Sequence, residues 1–222
     1  MASVIARVRR IFFASVDVES TGERFTNTLC SIGIIVGPAD GSWPRAKLIR
    51  YRADLKPLHG EVDDPRCMEK FWAQHPTVYS EIQANAKDAH VVMTGLLSFC
   101  QQLVAHIEDN PEIDGKIVLL TDCPDFDLGR LHYLGEVATK TWPTPFRNLG
   151  KPGVRHGYMN PWERLDVLGK ADECADWMQR NVPGVVHDHR PDNDAEHTYY
   201  QQVFLERDGK DLESDDAGPV YK

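Results

Sequence analysis

The apolar run Ile11–Val16 ends on two carboxylates, in the order Val16-Asp17-Val18-Glu19-Ser20-Thr21-Gly22. That junction limits the possible folds more than any other feature of the chain. A run so rich in β-branched and aromatic residues reads as a buried strand, and in a strand alternate side chains share a face. Asp17 and Glu19 therefore project together. Two ionised acids held side by side repel each other and are costly to bury, so a cation belongs between them, and a divalent metal meets that need. The plain alternative is a solvated strand end beside a turn at Ser20–Gly22. The Asp-x-Glu pattern recurs at Asp194/Glu196 and Asp211/Glu213 in a chain with 34 acidic residues among 222, so the pattern alone decides nothing. Only the first copy closes an apolar strand.

With 41% hydrophobic content the chain can bury a proper core, and its length predicts one domain over residues 1–206, followed by an acidic, disordered tail over 207–222. The five cysteines are scattered and never form Cys-x-x-Cys, which argues against a disulfide framework or a thiolate zinc site and for a reducing, cytoplasmic setting. Arg7–Arg10 followed by Ile11–Val16 looks superficially like a signal peptide, but the apolar run is too short and Asp17 interrupts it. No segment reaches the roughly 20 apolar residues of a membrane span, so no membrane partner is expected. The net charge of -9 disfavours tight nonspecific binding to long nucleic acid. It leaves room for a nucleic-acid enzyme whose carboxylates hold cations.

The expected elements begin with strands at Ile11–Val16, Leu29–Val36 and Ala46–Ala53, an antiparallel meander. Helices are predicted over Pro65–His75 and Thr77–Ala84, separated by Pro76, and from Met93, where Met93, Leu96, Leu97, Cys100, Leu103, Val104 and Ile107 keep helical spacing. Ile117–Leu120 reads as a strand covered on both faces, and Asp127–Glu136 as a helix. Residues 139–161 lose periodicity and predict a long loop near the substrate path or a plain surface excursion. Helices over Trp162–Gln179 and from Pro191 to about Leu205 complete the chain.

Two further acidic segments bear on the chemistry. Thr121-Asp122-Cys123-Pro124-Asp125-Phe126-Asp127-Leu128 follows the covered strand and starts a helix, and His189-Arg190-Pro191-Asp192-Asn193-Asp194-Ala195 precedes and opens the last one. Together with Asp17-Val18-Glu19-Ser20-Thr21-Gly22 they resemble, in order and spacing, the three motifs of the DEDDh 3'-to-5' exonucleases, the proofreading and oligoribonuclease-like branch of the ribonuclease H-like fold. The resemblance runs from about Ile11 to Leu205. It implies a central mixed five-stranded sheet with antiparallel first three strands, flanked by helices. Asn often precedes the family's Phe-Asp, whereas this chain carries Asp122 and Asp125, either of which could replace Asp127. The His-x-x-x-x-Asp spacing also occurs at His187/Asp192 and His59/Asp64; Ala195 favours the His189/Asp194 register, because a small residue suits a helix that passes close to the first strand.

The resemblance implies two Mg²⁺ or Mn²⁺ ions held by Asp17, Glu19, Asp127 and Asp194, with His189 as general base. Oxygen donors suit these ions, and a group titrating near neutrality suits that base. Ser20, Thr21 and Gly22 would bring backbone close to the terminal nucleotide, and Trp72 (or Phe71) would stack on a base. The implied partners are single-stranded RNA or DNA 3' ends, with nucleoside 5'-monophosphates as products; a homodimer is possible. Two rivals stand beside this reading. His187 and His189 with a carboxylate could form a zinc site for hydrolysis or deamination, and the fold could serve as a non-catalytic nucleic-acid-binding module.

Overall fold

The computed structural model describes residues 10–110, 113, 115–139 and 160–208. Strands β1 (Arg10–Ser20), β2 (Leu29–Pro38) and β3 (Ile49–Asp54) form the antiparallel meander, and β4 (Gly115–Leu120) lies parallel to β1 on its other side. The order is β3-β2-β1-β4. The α/β class and the antiparallel first three strands agree with the sequence reading. The fifth strand does not: the described residues hold a four-stranded sheet. The loop expected at 139–161 and the tail expected at 207–222 both fall mostly outside the described residues; Arg207 and Asp208 belong to the last helix.

Around the sheet lie α1 (Pro65–Lys70), α2 (Pro76–Asn85), α3 (Ala89–Ile107), α4 (Pro124–Thr139), α5 (Pro161–Val167), α6 (Ala171–Asn181) and α7 (Pro191–Asp208). Three differ from expectation for local reasons. The helix expected to His75 ends at Lys70 and continues as a 3₁₀ turn, Trp72–Gln74, which lets the Trp72 indole enter the core. Trp162–Gln179 is two helices, because Gly169 takes a φ of 63°, the left-handed conformation that ends α5. Helix α3 starts at Ala89 rather than Met93, since the Asp88 carboxylate accepts the His90 N–H and caps it. By length and composition alone α3 would pass for a membrane span, yet its apolar face (Val92, Met93, Leu96, Cys100, Leu103, Ile107) is buried against the sheet.

Strand alternation explains where the site forms. The even-numbered Phe12, Ala14, Val16 and Val18 of β1 pack in one core with α3 and α4, whereas Phe13 and the β2 residue Ile35 pack with Ala195, Tyr199 and Val203 of α7. Asp17 and Glu19, odd like Phe13, therefore face the α7 side. Across the ladder Asp17 pairs with Gly33. The absence of a side chain at Gly33 lets the first turn of α7 sit directly on β2: a Cβ there would collide with the Pro191 carbonyl and the Asp192 nitrogen. The obstruction is backbone and cannot rotate away. Gly33→Ala is expected to lower stability by about 1–3 kcal/mol or more, read as a fall in the urea midpoint. A midpoint equal to the parent's would mean that α7 is not seated on this strand.

Candidate active site

The C-terminal ends of the parallel neighbours β1 and β4 open into a crevice into which α4 and α7 direct their first turns. Asp17 and Glu19 come from β1, Asp122 from the turn after β4, Asp127 from the first turn of α4 and Asp194 from the first turn of α7. Carboxylate oxygens of Asp17, Glu19 and Asp194 lie within 4.8 Å of one another, as do those of Asp17, Asp122 and Asp127. The two triads share Asp17. Asp127 is the helix-start acid that reaches the cluster, Asp122 joins it rather than replacing it, and Asp125 stays exposed.

Neighbouring groups fix two of these acids. Thr121 Oγ1 donates to Asp127 Oδ2, and the Cys123 N–H donates to Thr121 Oγ1. The Asp188 and His189 N–H groups donate to Asp194 Oδ1 (2.9 Å) and Oδ2 (3.2 Å). Asp17 Oδ2, by contrast, is buried with no hydrogen-bond partner. An acid with an orphaned carboxylate oxygen, itself a member of two all-oxygen triads, fits hard divalent cations such as Mg²⁺ or Mn²⁺.

Electrostatics agrees with this fit. Burial raises the Asp17 carboxyl well above its ordinary value, and Asp127, Glu19, Asp194 and Asp122 push it further. Burial likewise raises Glu19, with Asp194 the next contributor. Burial raises Asp127 to about 8 against the Thr121 hydrogen bond, and Asp194 to about 6 against His187 and the two backbone N–H groups.

His189 has a φ of 62°, alone among the described non-glycine residues in the left-handed region. Its Nδ1 lies 3.9 Å from both Glu19 Oε1 and Asp194 Oδ2. The ring is boxed by Phe71, His75 and His187, with centroids 4.7, 4.4 and 5.1 Å away. Burial, then His75 and His187, lower its proton affinity, which favours the neutral imidazole a base requires. Next to it, Arg190 is gripped by Glu81 of α2 (2.9 and 3.1 Å) and by Asp188 (2.6 Å).

Of the residues expected to meet the terminal nucleotide, Ser20 and Gly22 line the cleft beside Glu19, and Thr21 and Trp72 are buried. Trp72 is buried, and its indole N–H donates to the Ser20 carbonyl at 3.1 Å, so it supports the loop after β1 and has no face free for a base. Thr21 is buried, with its hydroxyl oxygen accepting the Thr28 N–H, and Ser20 Oγ is engaged by Gly22. Gly22 does line the adjoining cleft, but its lack of a Cβ accommodates Asn27 and Asp64, and its carbonyl accepts from the buried Arg130. Beside Glu19 that cleft, of about 530 Å³, is bordered by Phe71 and Phe126 and by Arg24, Arg66 and Lys70. No sequence signal marked these three cations. Asp122 had one, its place directly after the covered strand.

Because the folded state raises all four carboxyl pKa values, it binds their protons more tightly than the unfolded chain does. The stability these groups permit is fully present below the ordinary carboxylate range and is lost as pH rises through about 6 for Asp194 and about 8 for Asp127. Bound Mn²⁺ should reverse that loss. The gain in Tm on adding Mn²⁺ is expected to be larger toward alkaline pH, and Asp17→Asn is expected to raise the metal-free Tm there while shrinking the Mn²⁺ gain. A gain indifferent to pH and to Asp17→Asn would mean that the acids hold no cation.

No protein-family profile matches the sequence, and no curated protein does. Solved structures do. The nuclease domain of 3'hExo, a DEDDh family member bound to rAMP, superposes with a TM-score of 0.55 at 10% identity over 92% of this chain and 94% of its own. Cell-death related nuclease 4 (CRN-4) gives 0.55 at 13% identity over 90% of this chain and 64% of its own. S. pombe Pop2p, in a form with Mg²⁺ and Mn²⁺ bound, gives 0.55 at 14% identity over 91% and 86%. At these identities the likeness is one of architecture: the chain has the ribonuclease H-like fold shared by the DEDD nucleases.

Proposed function

We propose that the chain is a two-metal-ion 3'-to-5' exonuclease that hydrolyses phosphodiester bonds at the 3' end of RNA or single-stranded DNA and releases nucleoside 5'-monophosphates. The pair of carboxylate triads that share Asp17 carries this reading. When bound, two Mg²⁺ or Mn²⁺ ions supply charge stabilisation to the attacking and leaving oxygens of an in-line displacement. Asp17, Glu19, Asp127 and Asp194 would hold them, with Asp122 as a further oxygen donor. That 3'hExo binds rAMP and Pop2p binds Mg²⁺ and Mn²⁺ supports both the product class and the ions.

The chain's own residues perform the remaining steps. His189, neutral near physiological pH, takes the proton of the attacking water. Arg24, Arg66 and Lys70 border the cleft beside Glu19 and attract the phosphates of the strand despite the net charge of -9. Phe71 and Phe126 offer apolar surface to the terminal base, in place of Trp72. The single-domain organisation over residues 1–206 is part of the same proposal.

The rivals account for less. A zinc hydrolase built on His187 and His189 leaves the Asp17, Asp122 and Asp127 triad without a purpose. A binding module has no use for mutually repelling carboxylates. With 5'-labelled single-stranded RNA and DNA, stepwise shortening in Mg²⁺ or Mn²⁺ is expected, abolished by chelator and by Asp17→Ala. His189→Ala is expected to slow it by about 10²–10⁴-fold. Binding without shortening would favour the module, and zinc-dependent turnover that survives Asp17→Ala would favour the zinc hydrolase.

A further inference from the structure

His187 is not a reacting group in the proposed reaction, although it lowers the proton affinity of His189, and it stands at the edge of the site. Its Nε2 lies 3.4 Å from Asp194 Oδ2, the oxygen that is also 3.9 Å from His189 Nδ1. Ligand atoms of His187, His189 and Asp194 all fall within 4.8 Å of one another. Tetrahedral zinc with nitrogen and oxygen ligands at about 2.0–2.2 Å sets donor atoms about 3.3–3.5 Å apart. The His187–Asp194 edge already has that spacing, the His189–Asp194 edge at 3.9 Å is slightly longer, and the His187 side chain is 48% exposed.

We infer that His187, His189 and Asp194 form a Zn²⁺ site that switches the proposed nuclease off. The donor set distinguishes this site from the acid triads: two imidazoles and one carboxylate suit zinc, whereas Mg²⁺ prefers oxygen alone. Two of the ligands are held in advance. Asp194 is fixed by the Asp188 and His189 N–H groups, and the His189 ring is boxed by Phe71 and His75. His187 provides a solvent-facing entry, and the fourth coordination position is left for water.

The inhibition follows from which atoms are shared. Zinc on His189 takes up a ring nitrogen lone pair and fixes the ring that the proposed base needs free. Zinc on Asp194 withdraws a carboxylate from the triad with Asp17 and Glu19. Occupation of this site and turnover are therefore mutually exclusive. This mechanism of regulation rests on the exonuclease reading, whereas the zinc site itself rests only on the geometry.

Calorimetric titration of Zn²⁺ into the metal-free full chain is compared for the parent, His187→Ala and His187→Gln. Both variants are expected to lose affinity by about tenfold or more. In nuclease assays run in Mg²⁺, Zn²⁺ is expected to inhibit the parent, and the concentration needed, measured against each protein's own rate without Zn²⁺, should rise by the same factor in both variants. Equal affinity, or equal inhibition, across the three proteins would place zinc in the acid triads and overturn the inference. If the parent shortens no substrate in Mg²⁺ or Mn²⁺, the exonuclease reading and the off-switch fall together, while the titration alone still decides the zinc site.

Discussion

Repulsion among the carboxylates around Asp17 is the constraint the rest of the architecture answers. Left in water these side chains would separate; here the sheet, α4 and α7 hold each triad within 4.8 Å by apolar packing together with the hydrogen bonds and ion pairs around it. Phe13 and Ile35 anchor Ala195, Tyr199 and Val203 of α7 on one face, and Gly33, the ladder partner of Asp17, lets that helix start directly on β2. Asp127 and Asp194 both occupy first helical turns, where the helix dipole offsets part of the repulsion, by about 0.3–1 kcal/mol each. The remainder is stored in raised proton affinity, which a divalent cation can convert into binding.

Other charges brace the same helix from the side. Glu196, two residues after Asp194, is buried and accepts from Arg45 (2.7 and 2.8 Å) and from Arg50 (2.6 Å). Burial pushes its carboxyl up, but the two guanidiniums outweigh that and hold it below its ordinary value. Arg52 of β3 reaches Asp192 and Glu81 at 3.3 and 3.2 Å. The Arg52 pairs are partly solvent-exposed and contribute little in isolation, whereas Glu196 is fully buried and depends on its two guanidiniums for compensation. Their geometric effect is to tie the edge strand, α2 and the start of α7 into one frame around the His189 loop.

Much of this was legible in the sequence where one-dimensional periodicity maps directly onto a face. The alternation of Asp17 with Glu19, the helical spacing from Met93 and the Pro191 start of the last helix each constrain a local conformation. The choice of His189/Asp194 over His187/Asp192 followed from Ala195, which is buried against β1 and β2. The misses depend on contacts far apart in sequence. Nothing local says that Trp72 is buried beneath the Ser20 carbonyl while Phe71 lines the cleft, or that Glu81 meets Arg190 across 109 positions. Gly169 was visible as a residue, but the spacing of its apolar neighbours concealed the break it makes. The fifth strand came from the family resemblance and not from periodicity, and the described residues hold four.

The left-handed backbone at His189 connects these points. A non-glycine residue held there costs about 1–3 kcal/mol unless its surroundings over-determine it, and here they do. The Asp194 carboxylate takes the N–H groups of both Asp188 and His189, and Glu81 and Asp188 hold the following guanidinium. The carboxylate placed to receive a cation is thus also the one that shapes the loop bearing the imidazole. Movement of Asp194 toward a cation must stretch or redirect those two N–H bonds, and so shift His189 with it. Charge at the acid cluster and position of the histidine are therefore one mechanical variable, set by a single side chain in the first turn of α7.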